Sequence, residues 1–396
     1  MTMSAGCVAL NVAALDVGDW AQWRGPRGDG ISKETGWSAE FPDGGPRIVW
    51  QQNVGVGYSS TSVSGNGLYT AGWNDGHDAI VCLDTQNGEV VWRHTYESKK
   101  FDNNHKGGPA STPAVDAGAP GRVYFVSRDG RLFCLNAESG DPFWIKSLTD
   151  EFGVEAPSWG FSGSPFIDRQ TLYIDAGRIL AIDKLSGDLR WKSDDYGVAY
   201  STPVPFNVDD RRLIAAYPVY GLVIIDPASG REVAKYEWRL DNKVNVATPV
   251  IDGNRLFVSS NYDKGGVLLE LAGDELRVLW ETRRMSNWMA TCVVHDGNLF
   301  GFDKGVIRCL DLATGQVQWS QRGLGKGTLM AADGRLIIMS ASGELIIADA
   351  TPNHFAPSGR AQILEGGDCS TVPVLAGGRI YCRATSGQVV CVDVTK

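Results

Sequence analysis

An all-β fold, an eight-bladed propeller of four-stranded antiparallel blades closed by an N-terminal strand, is what the sequence predicts. Three observations carry it. A short apolar–acidic–Gly–Trp stretch recurs along the chain, its copies are spaced like four-stranded units, and a strand near the N-terminus matches the piece that the last copy lacks.

The stretch AIVCLDTQNGEVVW (79–92) returns as LFCLNAESGDPFW (132–144), ILAIDKLSGDLRW (179–191) and VIRCLDLATGQVQW (306–319). A weaker copy, LVIIDPASGREVA (222–234), lacks the Trp. The Asp or Asn side chain can accept hydrogen bonds from the turn that follows it, and Gly four positions on takes a positive φ. Repetition therefore assigns Asp84, Gly88, Trp92, Asn136, Gly140, Trp144, Asp183, Gly187, Trp191, Asp311, Gly315 and Trp319 to turns and packing, not to chemistry.

In chain order, residues 1–19 read as a leader remnant or a disordered N-terminus. Ser4-Ala5-Gly6-Cys7 resembles the end of a bacterial lipoprotein signal and makes Cys7 a candidate lipid anchor. Yet no basic start and no apolar core precede it, so an ordinary N-terminus stands as the alternative. A single propeller domain is assigned to 20–396. DWAQWRGPRGDG (19–30) and the residues to Pro46 read as loop, and RIVWQQNV (47–54) as an orphan strand resembling the last strand of a repeat.

Each repeat then opens on a Ser/Thr–Pro strand, as at Thr112 before Pro113, Ser164 before Pro165, Thr202 before Pro203 and Thr248 before Pro249. Proline cannot donate to a ladder, which places these strands at sheet edges. An aliphatic strand such as GRVYFV (121–126) or GRLIIM (334–339) follows, then the apolar–Asp strand, then the Trp strand. The third-strand markers Asp84, Asn136, Asp183, Asp226, Glu270, Asp311, Asp349 and Asp393 lie 52, 47, 43, 44, 41, 38 and 44 residues apart. Those spacings suit four-stranded blades. Copy five lacks the spaced Gly after Glu270, and copy seven has 352–357 where a Trp strand belongs. The eighth copy reaches Lys396 without a fourth strand, and 47–54 supplies one, removing the open sheet ends.

Composition narrows the function. The formal net charge of −9 argues against a nucleic-acid-binding surface, which would need a basic stripe, and no apolar run is long enough to span a bilayer. Eight Cys and five His show no CxxC and no zinc-type cluster. Cys82, Cys134, Cys309 and Cys391 share one slot of the repeat, which reads as shared burial of free thiols. If Ser386-Gly387 makes a two-residue turn, Cys382 falls opposite Cys391, and a cross-strand disulfide becomes the alternative there.

With these motifs in place, D-x-x-[S/T/N]-G-x-x-x-W repeated around eight blades resembles the PQQ-like, quinoprotein-alcohol-dehydrogenase-like propellers. DWAQWRGP and APSWGFSGSP (156–165) resemble the PQQ-binding-like repeat proteins common in planctomycetes. The lipoprotein subunit of the outer-membrane β-barrel assembly machinery is a cousin by fold. The resemblance implies a Trp packed between neighbouring sheets and an exported, periplasmic or cell-envelope location, with a cytoplasmic one as alternative. It also raises PQQ with calcium as a cofactor. The vicinal Cys pair and the Glu–Asn–Asp calcium set of PQQ dehydrogenases are not visible, so no cofactor is expected.

Function should lie where the repeats differ, in the loops between each Trp strand and the next Ser/Thr–Pro strand, which converge on one channel mouth. These loops offer Tyr58, Asn104, His105, Trp159, Tyr200, Asn245, Asn287, Trp288, Lys326 and Asp368. Aromatics beside amides suit a protein segment, a glycan or a small polar ligand. The same residues could instead plug the channel and satisfy inner-strand backbone. No nucleophile at recognisable spacing accompanies His105, and GLGKGT (323–328) lacks a P-loop context. A monomeric, non-enzymatic binding scaffold is the expectation, with a quinoprotein dehydrogenase and a propeller hydrolase or lyase as alternatives.

Overall fold

The computed structural model describes residues 18–101, 105–366 and 368–396. The leader with Cys7, and the mouth candidate Asn104, lie outside these residues. Eight antiparallel blades follow one another at 62–97, 114–147, 166–192, 204–237, 250–282, 293–321, 328–362 and 374–393. The strand Arg47–Asn53 completes the eighth blade as its outer strand, with Trp50 opposite Cys391.

The inner strand ends its sheet in seven of the eight blades, that of blade seven being joined by Ile31–Ser32, and in blades two, three, four, five and eight a proline without an N–H precedes it. A Ser or Thr hydroxyl at the entry to the inner strand meets the neighbouring blade's free edge. Thr112 Oγ1 accepts from Ser60 N (3.1 Å), Ser164 Oγ from Thr112 N (2.9 Å), Thr202 Oγ1 from Ser164 N (2.9 Å) and Thr291 Oγ1 from Thr248 N (3.0 Å). Thr328 Oγ1 donates to Thr371 O (2.8 Å) and Ser60 Oγ to Val372 O (3.0 Å), which carries the belt across blade eight to blade one. Arg383 of blade eight, 2% exposed, adds bonds to the carbonyls of Gly57, Ser59 and Ala71.

A second coupling lies outside this belt. Each Trp indole donates to a carbonyl in the next blade's turn: Trp50 to Thr85, Trp92 to Ala137, Trp144 to Leu185, Trp191 to Pro227, Trp280 to Leu312 and Trp319 to Thr351, all at 2.8–2.9 Å. In the first five of these pairs the ring lies against that blade's motif Gly, whereas Trp319 packs 5.7 Å from Phe355. A Cβ on Gly140 would sit 2.5 Å from Trp92, and one on Gly230 2.5 Å from Trp191. The motif Gly is thus fixed twice, by φ near +75° and by the ring on its face. The motif carboxylates hold the turn, as Asp84 Oδ1 does for Gln86 N and Asn87 N.

At two boundaries the lock is lost from both sides. Blade four has Ala234 in the Trp slot and blade five lacks the Gly, while blade seven lacks the Trp and blade eight ends without the turn. At the seventh boundary the segment 37–41 fills in: Ser38 N bonds Val394 O, Ser358 Oγ bonds Ala39 O, and Phe41 packs on Gly359.

Four details refine the sequence reading. Blade seven keeps the four strands expected of every blade, its fourth, Pro357–Gln362, following the proline-rich stretch. The Cys382–Cys391 disulfide does not form, because the hairpin closes through Ala384 and Gln388 with three residues between them. That register sets Cys391 opposite Tyr381 and turns Cys382 to the other face. A short helix, Leu148–Phe152, capped by Ser147, leads out of blade two. Finally, 19–36 is turn and coil apart from the Trp20 bridge and the two-residue strand Ile31–Ser32, yet much of it is buried against the blades.

That segment plugs the channel and touches the blades nearly in ring order. Trp20 exchanges backbone bonds with Val63 of blade one, Ala21 O accepts from Val115 N of blade two, and Gln22 Oε1 from Ile167 N of blade three. Gly28 packs on Phe166 and Val204, Trp23 Nε1 donates to Thr248 Oγ1 (2.9 Å), and Arg24 reaches Cys292 O (2.7 Å). Ile31–Ser32 adds a parallel strand to blade seven, and Glu34 takes the N–H groups of Gly377 and Gly378. Burial lowers the pKa of Arg24 to about 10, and three carbonyls satisfy the guanidinium.

Two measurements test this account. Trp92→Ala should cost about 3–5 kcal/mol in urea unfolding, the range for a buried large aromatic. Gly140→Ala should destabilise more than Gly253→Ala, because both have positive φ but only the former meets a ring; equal losses would refute the contact.

Candidate functional site

The plug closes the hairpin end of the channel, and the opposite mouth stays open as a blind cup. Loops leading into the inner strands line it, joined by turns between second and third strands. Its deep lobe, of about 130 Å³, has Trp23 as its floor and Ser164, Thr202 and Thr248 on its walls. A second lobe of about 350 Å³ opens beside it toward Lys304, Lys326 and Asp368. The two share Tyr58, His105, Trp288 and Met289 and form one depression.

Half-buried rings form an arc along one side. Tyr58 meets His105 edge-on at 6.3 Å, His105 meets Trp159 edge-on at 5.8 Å, and Trp159 lies 5.9 Å from Tyr200. These are distances at which aromatic pairs attract. Arg128, 8% exposed, holds the arc in place by donating to the Gly108 and Trp159 carbonyls. Burial lowers its pKa, and burial likewise raises the phenols of Tyr58 and Tyr200. Across the mouth the ammonium of Lys326 sits 3.1 Å from the centre of the Trp288 ring. Partial burial lowers the Lys326 pKa. Asp368 accepts from Ser370 Oγ and lies 3.8 Å from Lys106 Nζ.

Seven of the residues singled out in the sequence therefore line the cup: Tyr58, His105, Trp159, Tyr200, Trp288, Lys326 and Asp368. Asn245 and Asn287 do not. Asn245 is 1% exposed, donates to Pro218 O (2.8 Å) and accepts from Ser260 Oγ (2.9 Å). Asn287 is 2% exposed, donates to Phe302 O (3.0 Å) and accepts from Cys292 Sγ. Both amides are spent inside the protein. Sequence reasoning missed Trp23, Arg128 and Tyr262, the first because the plug is invisible as a repeat. The others sit in second-to-third-strand turns, which also face the mouth.

Calcium with PQQ can be tested against the donors. Calcium needs six to eight oxygen ligands. The lining offers one carboxylate, Asp368, among cations, and the described residues contain no group of three or more His, Cys, Asp or Glu placed to hold an ion. The set does not fit.

Fold and repeat together define the class: an eight-bladed propeller of PQQ-like repeats with a blind channel. The family described as outer membrane protein assembly factor BamB matches residues 77–321, and the chain belongs to it. It is 26% identical over 283 residues to the outer membrane protein assembly factor BamB of Burkholderia pseudomallei, covering 66% of this chain and 67% of that protein. Among solved structures, BamB from Moraxella catarrhalis superposes with a TM-score of 0.61 at 17% identity, over 88% of this chain and 97% of that one. The quinohemoprotein alcohol dehydrogenase from Comamonas testosteroni gives 0.68 at 12% identity, over 96% and 81%. At those identities the structures share the fold.

Asp175 yields a pH prediction. It is 3% exposed, and only its Oδ1 has a partner, Gly177 N at 3.1 Å. Burial raises its pKa to about 7. A carboxyl raised in the folded state costs nothing below its unfolded pKa and destabilises increasingly as pH climbs through the folded value. Asp175→Asn keeps the acceptor and removes the charge, so it should melt above wild type at pH 8 and match it at pH 4. Asn245→Ala should lose about 1–3 kcal/mol by orphaning buried partners, while Lys326→Ala leaves the melting temperature unchanged.

Proposed function

We propose that the chain is a non-enzymatic binding scaffold of the cell envelope that engages a protein partner through the open mouth. The observation that carries this reading is the cup itself: a built recognition surface with no reactive set among the described residues. Its rim presents rings and a cation, as protein-binding surfaces do. His105, the residue best suited to acid–base chemistry, touches other rings, and its ring nitrogens make no hydrogen bond among the described residues. The BamB relatives, named as outer membrane protein assembly factors, favour an exported location and a partner at that membrane. No resident cofactor is part of this proposal.

A photo-crosslinking amino acid at Tyr58 or Trp288 should trap a partner in the native host, while one at Asp84 on the plugged end should not. Trapping at Asp84 alone would sink the mouth as the docking face. Mixing the purified protein with PQQ and calcium should give no alcohol-dependent dye reduction, and turnover would restore the dehydrogenase reading.

A further inference from the structure

We propose that the cup receives an extended peptide segment of its partner bearing one aromatic side chain and, close by in sequence, one carboxylate; this rests on the scaffold reading above. Two lobes with different chemistry meet in one depression. The deep lobe, about 130 Å³ between the Tyr58–His105–Trp159–Tyr200 arc and the Trp23 floor, has room for a single ring. A ring seated there adds one more member to an arc already built of edge-on and tilted contacts. Its walls below are hydroxyls, and Trp23 Nε1 is already given to Thr248 Oγ1, which suits an apolar ring with one polar edge.

The second lobe asks for negative charge. Lys304 is paired with Asp263, and Lys106 lies near Asp368. Lys326 has no carboxylate partner among the described residues and rests on the Trp288 face at 3.1 Å. An acidic side chain entering this lobe meets an ammonium already positioned and partly dehydrated, where a charge pair gains more than on open surface. Because the lobes share Tyr58, His105, Trp288 and Met289, both groups belong to one ligand. The plug closes the far end, so a chain cannot thread through. Its backbone must pass across the rim and lower side chains into the cup.

The test uses the full chain and fluorescein-labelled Gly/Ser peptides with Trp and Asp one, two or three positions apart. Fluorescence anisotropy should show saturable binding at one spacing. Trp→Ala or Asp→Lys in that peptide should weaken it about tenfold or more, and raised salt should weaken it further. In the protein, Lys326→Glu should abolish preference for the Asp peptide and transfer it to the Lys peptide. Lys326 is exposed, so this variant should fold normally, as its melting curve will report. Tyr200→Phe should bind as wild type, whereas Tyr200→Ala should not. Absence of binding at every spacing, or binding indifferent to Lys326→Glu, overturns the proposal. So does displacement of the peptide by free indole-3-acetate or a disaccharide at lower concentration than unlabelled peptide, which would make this a small-molecule site. If crosslinking traps a partner at the mouth while no peptide binds, the scaffold reading stands and this one falls.

Discussion

Everything in this protein depends on how one blade grips the next. A four-stranded sheet has two free edges and cannot bury both faces alone, so a ring of eight is as stable as its boundaries. The grip has an inner and an outer part. Inside, a Ser or Thr hydroxyl from one blade caps the unpaired N–H of its neighbour's inner strand, a position where an unsatisfied donor would be costly. Outside, an indole donates to a turn carbonyl and lies flat on a glycine. At the boundary between blades four and five both outer residues are missing, Ala234 standing in the Trp slot and no spaced Gly following Glu270. Between blades six and seven the two parts separate: Asn353 stands in the glycine slot, and Trp319 keeps its bond to Thr351 O while packing on Phe355.

The fold was legible because this grip leaves a periodic trace. Asp84, Gly88 and Trp92 recur at fixed offsets since turn geometry and ring contact fix both the residue types and the spacing. The closing strand was legible for the same reason, Trp50 being a lock residue without a repeat before it. The plug left no such trace. Trp20, Gln22 and Arg24 make their contacts once each, with blades far away in sequence, and a segment without periodicity reads as loop. The Cys382 register failed on a smaller matter. One extra turn residue turns a side chain to the other face, and neither Gly387 nor its neighbours encode loop length unambiguously.

For the mouth, the loops were the right place to look, and polarity was a poor guide within them. Asn245 and Asn287 sit on the same segments as Tyr200 and Trp288, yet both amides are consumed by backbone carbonyls and hydroxyls behind the inner strands. An asparagine in a loop that turns tightly into a buried strand is competed for by that strand's own unpaired groups. Large aromatics are too big to fold back in this way and so stay at the rim. Arg128 behaves like the amides, a charged residue recruited to hold two carbonyls, and its service is to fix Trp159 and the loop opposite.

The plug also changes what the mouth can be. An open propeller channel has two rims and a water-filled bore, and a ligand may approach from either end. Here Trp23 rises from the closed end into the bore and gives the open end a floor, so only one rim is available for recognition. The same eighteen or so residues that brace the ring thus set the depth of the cup. Bracing and depth are coupled: a change in 19–36 that loosened the ring would also deepen or drain the cavity, whereas a change at Lys326 or Trp288 would alter its chemistry alone. Stability in this chain is written into what the blades share, and selectivity into the few residues that no other blade repeats.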